Sequence, residues 1–279
     1  MKTMFARAAS AVACAMIALA APGSAQPAIP HMQMWRLDCG TIDVADLDAF
    51  SDTYLYVGQK KRLTDSCYLV RHGENYLLWD TGLPGELAGK PPLTSDGYTT
   101  SLGSRLVDQL RGIGVTPDKV NFVGISHNHF DHIGQAADFP KATLLIGAED
   151  LEATKKSDAA ARFAPWLKGG AKVQETKGDL DVFGDGSVIV LDMPGHTDGH
   201  QSLLVRLPRT GPVLLTGDLF HFTENMQKHG VPGFNADRSA TLASFDRFET
   251  IAKTLKARVI IQHELRDVAK LPAFPTPAE

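Results

Sequence analysis

Three histidines fall within six positions, at 127, 129 and 132, in the run Ser126-His127-Asn128-His129-Phe130-Asp131-His132, which also holds Asp131. Neutral imidazoles and carboxylates are the ligands that a divalent ion of borderline softness such as zinc accepts. His127 and His129, one residue apart on a turn, can aim two rings at one ion, and Asp131 and His132 can then face a second. Each ion needs further ligands, and His196, Asp218 and His263 each stand shortly after an apolar run. Two ions about 3.5 to 4 Å apart can share a hydroxide at neutral pH, because a bound water has its pKa lowered to about 7. That chemistry is hydrolysis without a serine or cysteine nucleophile. An ester or lactone suits it better than an amide, since a departing alkoxide is stabilised directly by metal whereas an amine must also be protonated.

Such ligands have to be delivered by strand ends, where α/β folds keep their chemistry. Residues 120–125 read as a buried strand that ends at the histidine run, and residues 143–147, 188–192, 202–207, 213–216 and 259–262 as further strands. Three of these lead into Met193-Pro194-Gly195-His196, Gly217-Asp218 and His263. Upstream, residues 34–37, 53–57, 67–71 and 76–80 predict an antiparallel, β-rich half. Leu102, Leu106, Val107 and Leu110 fall at helical spacing. Leu242, Phe245, Phe248, Ile251 and Leu255 make a second apolar stripe, with Asp237 or Ser239 available as its cap. No repeat or low-complexity linker interrupts this alternation, so residues 26–279 are expected to form a single domain.

The chain of 279 residues is 43% hydrophobic and carries 28 basic against 32 acidic residues, a formal charge of −4. A slightly acidic, evenly charged chain argues against nucleic acid as a partner. Lys2 and Arg7, the apolar residues 8–21 and Gly23-Ser24-Ala25 read as a signal peptide over residues 1–25. The apolar part is shorter than the roughly 20 residues that span a bilayer. The expected product is a periplasmic or secreted protein with no stable membrane insertion after cleavage. Cys14 goes with the leader, and Cys39 and Cys67 are expected as unpaired, buried small hydrophobes. Of the ten histidines, His31, His72 and His229 are expected in solvent and His200 in a structural role.

The ordered set His127, His129, Asp131, His132, His196, Asp218 and His263 resembles the metal ligands of the metallo-β-lactamase superfamily, over residues 127–263. The resemblance implies an α/β fold, an αββα sandwich of two mixed β-sheets flanked by helices. It implies two Zn2+ ions, replaceable by other divalent metals, with His127, His129 and His196 on one, Asp131, His132 and His263 on the other, and Asp218 bridging them. Asp131 and Asp218 then count as catalytic as well as ligating. Asp80-Thr81-Gly82 is similar to a turn that supports the ligand loops in that superfamily.

Within it, the segment from Thr216 to Asn225, the stretch Val231-Pro232-Gly233-Phe234-Asn235 and the opening Leu37-Asp38-Cys39-Gly40 resemble the N-acyl-homoserine lactonases. Phe130 matches an aromatic that lactonases place in the metal motif, and Phe220, Phe222 and Phe234 are expected to supply an apolar acyl pocket. The chain departs from that pattern at His221, where lactonases carry a tyrosine that donates to the substrate. His221 is the candidate electrophile or general acid. The resemblance thus implies an exported dinuclear zinc hydrolase that opens N-acyl-homoserine lactones, quenching a diffusible signal, by attack of a metal-bridging hydroxide.

The alternative is an esterase or phosphotriesterase on the same site, since Gly217-Asp218-Leu219-Phe220-His221 behind a signal peptide also resembles exported organophosphate hydrolases. β-Lactamases generally lack a residue equivalent to Asp218, glyoxalase-type thioesterases and nucleases call for basic clusters not found here, and flavodiiron proteins carry a carboxylate where His129 stands. A metal-dependent binding protein would hold a carbonyl ligand without turning it over. The partner is a small-molecule lactone or ester, and a homodimer is left open as the assembly.

Overall fold

The computed structural model describes residues 31–279, so the expected signal peptide lies outside the described residues. Eight strands form the first sheet: β1 (Met32–Val44), β2 (Lys61–His72), β3 (Asn75–Trp79), β4 (Leu93–Ser95), β5 (Tyr98–Ser101), β6 (Phe122–Gly124), β7 (Thr143–Gly147) and β8 (Val173–Thr176). Their spatial order is β4-β5-β1-β2-β3-β6-β7-β8, antiparallel as far as β3 and parallel beyond it. The second sheet takes β9 (Leu180–Asp181), β10 (Val188–Asp192), β11 (Gln201–Leu207), β12 (Gly211–Leu215) and β13 (Arg258–Ile260) in the order β13-β12-β11-β10-β9, with only the β12–β13 pair parallel.

Strand alternation assigns each side chain to a layer. Leu77 and Trp79 of β3 meet Val190, Leu203, Val205 and Leu215 between the sheets. Leu78, one position out of phase, turns to the opposite face and packs under α1 (Leu106–Gly112) and α3 (Ala148–Lys155), with α2 (Phe130–Ile133) between them in the chain. On the outer face of the second sheet, Leu191, Leu204 and Leu214 pack on the stripe of α6 (Arg238–Leu255), which follows α4 (Ala164–Leu167) and α5 (Thr223–Lys228). Asp237 caps α6, accepting the Ala240 N–H at 2.8 Å. Two mixed sheets covered by helices on both outer faces are the αββα sandwich expected, and α7 (Leu265–Val268) closes the element order.

Two expectations need correcting. Residues 53–57 are not a strand but a turn, because Ser51 Oγ accepts the N–H groups of Thr53 and Leu55 and Asp48 Oδ1 accepts that of Tyr56. These local side-chain bonds take the donors a ladder would need. Cys39 and Cys67 are not free thiols but a disulfide between β1 and β2, Cα atoms 5.8 Å apart. The pairing depends on register, which shifts at a bulge between Asp38 and Gly40. Pattern alone does not reveal that shift.

Candidate metal centre

The segments leaving the C-terminal ends of β3, β6, β10, β12 and β13 meet at one edge of the sandwich and bring all seven expected ligands together. His127, His129, His196 and Asp218 form one cluster, and Asp131, His132 and His263 another, the ligand atoms of each lying within 4.8 Å of one another. His196 Nε2 is 3.1 Å from His127 Nε2 and 2.9 Å from His129 Nδ1. Asp218 spans the two clusters. Its Oδ2 faces His127 and His196 at 3.5 and 3.4 Å, and its Oδ1 faces His132 and His263 at 3.2 and 3.0 Å. Asp131 Oδ2 lies 3.7 Å from His263 Nε2.

Hydrogen bonds behind the rings show why this set fits metal. The Nδ1 of His196 meets Asn235 Oδ1 at 2.9 Å, that of His132 meets Asp80 Oδ2 at 2.9 Å, and that of His263 meets the Thr64 carbonyl at 2.8 Å. Those partners are acceptors, so each Nδ1 donates and each Nε2 points inward, where a cation can take its lone pair. Asp218 Oδ1, buried among them, has no hydrogen-bond donor among the described residues. Converging imidazole nitrogens and an orphaned carboxylate oxygen suit cations, and the two clusters together offer ligands for two divalent ions.

Supporting groups hold the loops. Asp80, in the left-handed region at φ 57°, accepts the Ser126 N–H at 2.7 Å and the Gln262 amide at 2.9 Å, joining three ligand segments in the supporting role expected of it. Gly217, also left-handed at φ 57°, turns β12 into Asp218 where a Cβ would strike His200 Nε2. His200 donates to the Met193 carbonyl at 2.8 Å through Nδ1 and accepts the Asp218 N–H at 2.9 Å through Nε2. Burial pushes the His200 imidazole down to about 4, so that accepting lone pair is kept. Asp150 ties two ligand loops by accepting from Asn128 N, Gly199 N and Thr197 Oγ1 at 3.0, 3.0 and 2.8 Å. Burial nevertheless pushes its carboxyl up to about 6. The sequence pattern marks no supporting role for Asp150, Asn235 or Gln262, since those roles exist only once the loops are adjacent.

The histidines differ between the clusters. Burial pushes His127, His129 and His196 below their ordinary value. Burial acts the same way on His132 and His263, but Asp218, with Asp80 and Asp131 at His132 and Asp131 at His263, outweighs it. It leaves His132 well above the ordinary value and His263 at about 9. Burial opposes the charge of Asp218, yet His263, His132, His221 and His127 hold its carboxyl well below the usual range.

A cavity of about 190 Å3 opens over Asp131, Asp218 and His263 and is walled by Phe130, Phe234, Phe50, Ile42, Leu63 and Tyr98. His221 reaches it, with Nε2 3.2 Å from Asp218 Oδ2 and its ring edge-on to Phe50. Phe130 and Phe234 are exposed on its rim. Phe220 and Phe222 are not part of it. Phe220 stacks on Phe245 of α6 with centroids 4.4 Å apart, and Phe222 is buried against Tyr56 at 5.2 Å. Counting aromatics after Asp218 could not separate these core rings from lining ones. The missed lining residues Ile42 and Leu63 are cross-strand partners, visible only in the β1–β2 register. His72 is likewise not simply solvated, since it meets Asp185 at 2.7 Å and stacks on Phe183, and His229 pairs with Glu249 at 2.8 Å.

Residues 62–263 match the family described as the Metallo-beta-lactamase superfamily. The N-acyl homoserine lactonase AttM of Rhizobium johnstonii is 31% identical over 218 residues, which cover 71% of this chain and 80% of that protein. An N-acyl homoserine lactonase of a Bacillus species is 29% identical over 216 residues, 75% of this chain and 84% of the other. Among solved structures, an N-acyl homoserine lactone hydrolase with N-hexanoyl-L-homoserine at its catalytic metal centre superposes with a TM-score of 0.75 at 25% identity, covering 90% of this chain and all of that one. AidC, a dizinc quorum-quenching lactonase, is similar in fold at a TM-score of 0.63 and 18% identity, over 90% of each chain.

Proposed function

The chain belongs to the metallo-beta-lactamase superfamily and is a metal-dependent hydrolase, and from that premise we propose that it opens the lactone ring of N-acyl-homoserine lactones with two zinc ions. The observation that carries the reading is Asp218, whose two oxygens face two separate ligand clusters directly beneath an apolar cavity. A donor set of imidazoles and carboxylates suits zinc. Divalent ions bound there supply a water of lowered pKa and fixed positive charge beside the reacting ester.

The protein's own groups do the rest. Phe130, Phe234 and Phe50 bound the cavity and keep bulk water from the ester, and the N-acyl chain leaves along the exposed face of Phe130. His221, beside Asp218, presents a ring N–H to the oxygen that leaves the carbonyl carbon. In the overall reaction water adds its oxygen to that carbon, the ring C–O bond breaks, and the departing oxygen takes a proton. We propose export as well: the basic, apolar and small-residue order of residues 1–25 supports it, and the Cys39–Cys67 disulfide suits an oxidising compartment.

The test is mass-spectrometric detection of the gain of one water when purified protein meets short- and long-chain acyl-homoserine lactones, with and without chelator. Fast opening that chelator abolishes and zinc restores is the expected result. A metal-loaded sample that left every lactone intact and cleaved aryl esters or phosphotriesters would move the substrate to that class. His221, standing where lactonases carry a tyrosine, is the residue that favours this second reading.

A further inference from the structure

Below the second cluster lies a carboxyl that the hydrolysis described above does not use. Asp65, midway along β2, is 1% exposed, and its Oδ2 has no hydrogen-bond partner among the described residues. A polar atom buried without a partner is costly and uncommon in a native interior, and such atoms concentrate where an ion or a reaction uses them.

Its neighbours in the strand locate it. Thr64 accepts the His263 ring N–H through its carbonyl at 2.8 Å and donates its own N–H to the His263 carbonyl at 3.1 Å, while Ser66 Oγ donates to the Gln262 carbonyl at 2.7 Å. Residues on both sides of Asp65 therefore grip the turn that carries His263. Alternation puts Asp65 on the other face of β2, in the row of Leu63, which lines the metal cavity. Directly across the ladder stands Gly40, where a Cβ would run into Leu83, so no side chain from β1 comes between. Burial pushes the Asp65 carboxyl well above the usual range, and the charges acting on it are those of His263, Asp131, His132 and Asp80. The first three are the whole second cluster, and the fourth orients His132.

We infer that Asp65 is a further acidic group of the metal centre, set beneath the Asp131, His132 and His263 half-site to strengthen its hold on a divalent ion. The inference rests on the dinuclear reading. A divalent ion there already has Asp131 and the shared Asp218, and Asp65 adds a third carboxyl from a layer below, one that gives up its proton as the ion's charge arrives and is then little screened by water. Groups just outside the ligands commonly change metal affinity by about 10- to 100-fold. Asp65 acts on the ion through position and charge and touches no substrate.

The experiment follows zinc content by mass spectrometry as a chelator is titrated into the purified protein, comparing the natural chain with Asp65→Asn, which keeps the shape, and Asp65→Val, which suits a strand. A His263→Ala chain identifies the step that belongs to the second cluster. The natural chain should release two ions in two steps. In both Asp65 variants the second-cluster ion should leave at about tenfold lower chelator concentration, with the other step unmoved. Two unchanged steps in both variants, whatever happens to their melting temperatures, would overturn the inference and leave Asp65 a packing residue. Should Asp65→Val fail to fold, Asp65→Asn decides alone. A natural chain that never holds two ions would sink the dinuclear reading itself, which separates that failure from this one.

Discussion

The two clusters share Asp218 and lie within one loop's reach, yet they are built on opposite electrostatics. The His127, His129 and His196 side collects three imidazoles, and burial keeps all three below their ordinary value. The ring nitrogens behind it meet neutral groups, an Asn235 amide oxygen on His196 and the Ser126 hydroxyl on His127. The Asp131, His132 and His263 side is rich in carboxyls, with Asp80 behind His132 and Asp65 beneath, and its histidines are drawn upward. The first half thus offers neutral imidazoles, whereas the second gathers carboxyls whose pull on its two imidazoles a cation can take over. One bridging carboxylate lets a single cavity use both.

The comparison breaks most completely if the bridge goes. Asp218→Ala should lower kcat/KM for lactone opening by at least about 10³-fold, because both clusters lose a ligand at once. Steady-state kinetics with metal content measured on the same samples checks it, and near-normal turnover would mean that the clusters work separately. His221→Phe touches neither cluster's ligand count. It should reduce kcat by about 10²-fold with both ions retained, and unchanged kcat would remove His221 from the proton chemistry.

Changes behind the ligands sharpen the contrast. Asp80→Asn should weaken the second cluster's ion by about 10- to 100-fold and leave the first in place, whereas Asn235→Ala should loosen the first cluster only. Equal losses from both clusters in either variant would contradict the division. The smallest effect is in stability against pH, measured by urea unfolding of chelator-treated protein. His200 is held at about 4 in the folded protein against about 6.5 unfolded, so its contribution is complete above pH 6.5 and is lost as the pH falls through 4. His263, raised to about 9, behaves in the opposite sense: its contribution is complete below pH 6.5 and is lost as the pH rises through 9. His200→Gln should therefore cost more at pH 7.5 than at 4.5, and His263→Ala more at pH 6 than at 9.5. Each difference should be at most about 3 kcal/mol. Parallel pH profiles for the two variants would erase the asymmetry.

Much of the site could be read before any fold was known, and the reason is chemical. Metal ligands come from a short list of residue types, and a strand that delivers one is a continuous apolar run, so His127, His129, Asp131, His132, His196, Asp218 and His263 are all recognisable from type and position. The same holds for α6, whose stripe and Asp237 cap are local signals. Where residues 53–57 were expected as a strand, local hydrogen bonds from Ser51 and Asp48 prevailed over β propensity.

By itself the sequence determined the ligand set and the class of chemistry, written in residue type, and the alternation of strands and helices, written in short-range period, while the αββα sandwich was implied by the resemblance those ligands carry. Tertiary structure alone decided that Cys39 meets Cys67, that Phe220 and Phe222 belong to the core while Ile42, Leu63, Phe50 and Tyr98 line the cavity, and that Asp150 ties two ligand loops. All of these are pairings between distant segments. They follow from strand register and from how loops cross at the sheet edge, and a one-residue slip in register would send each of these strand side chains to the opposite face.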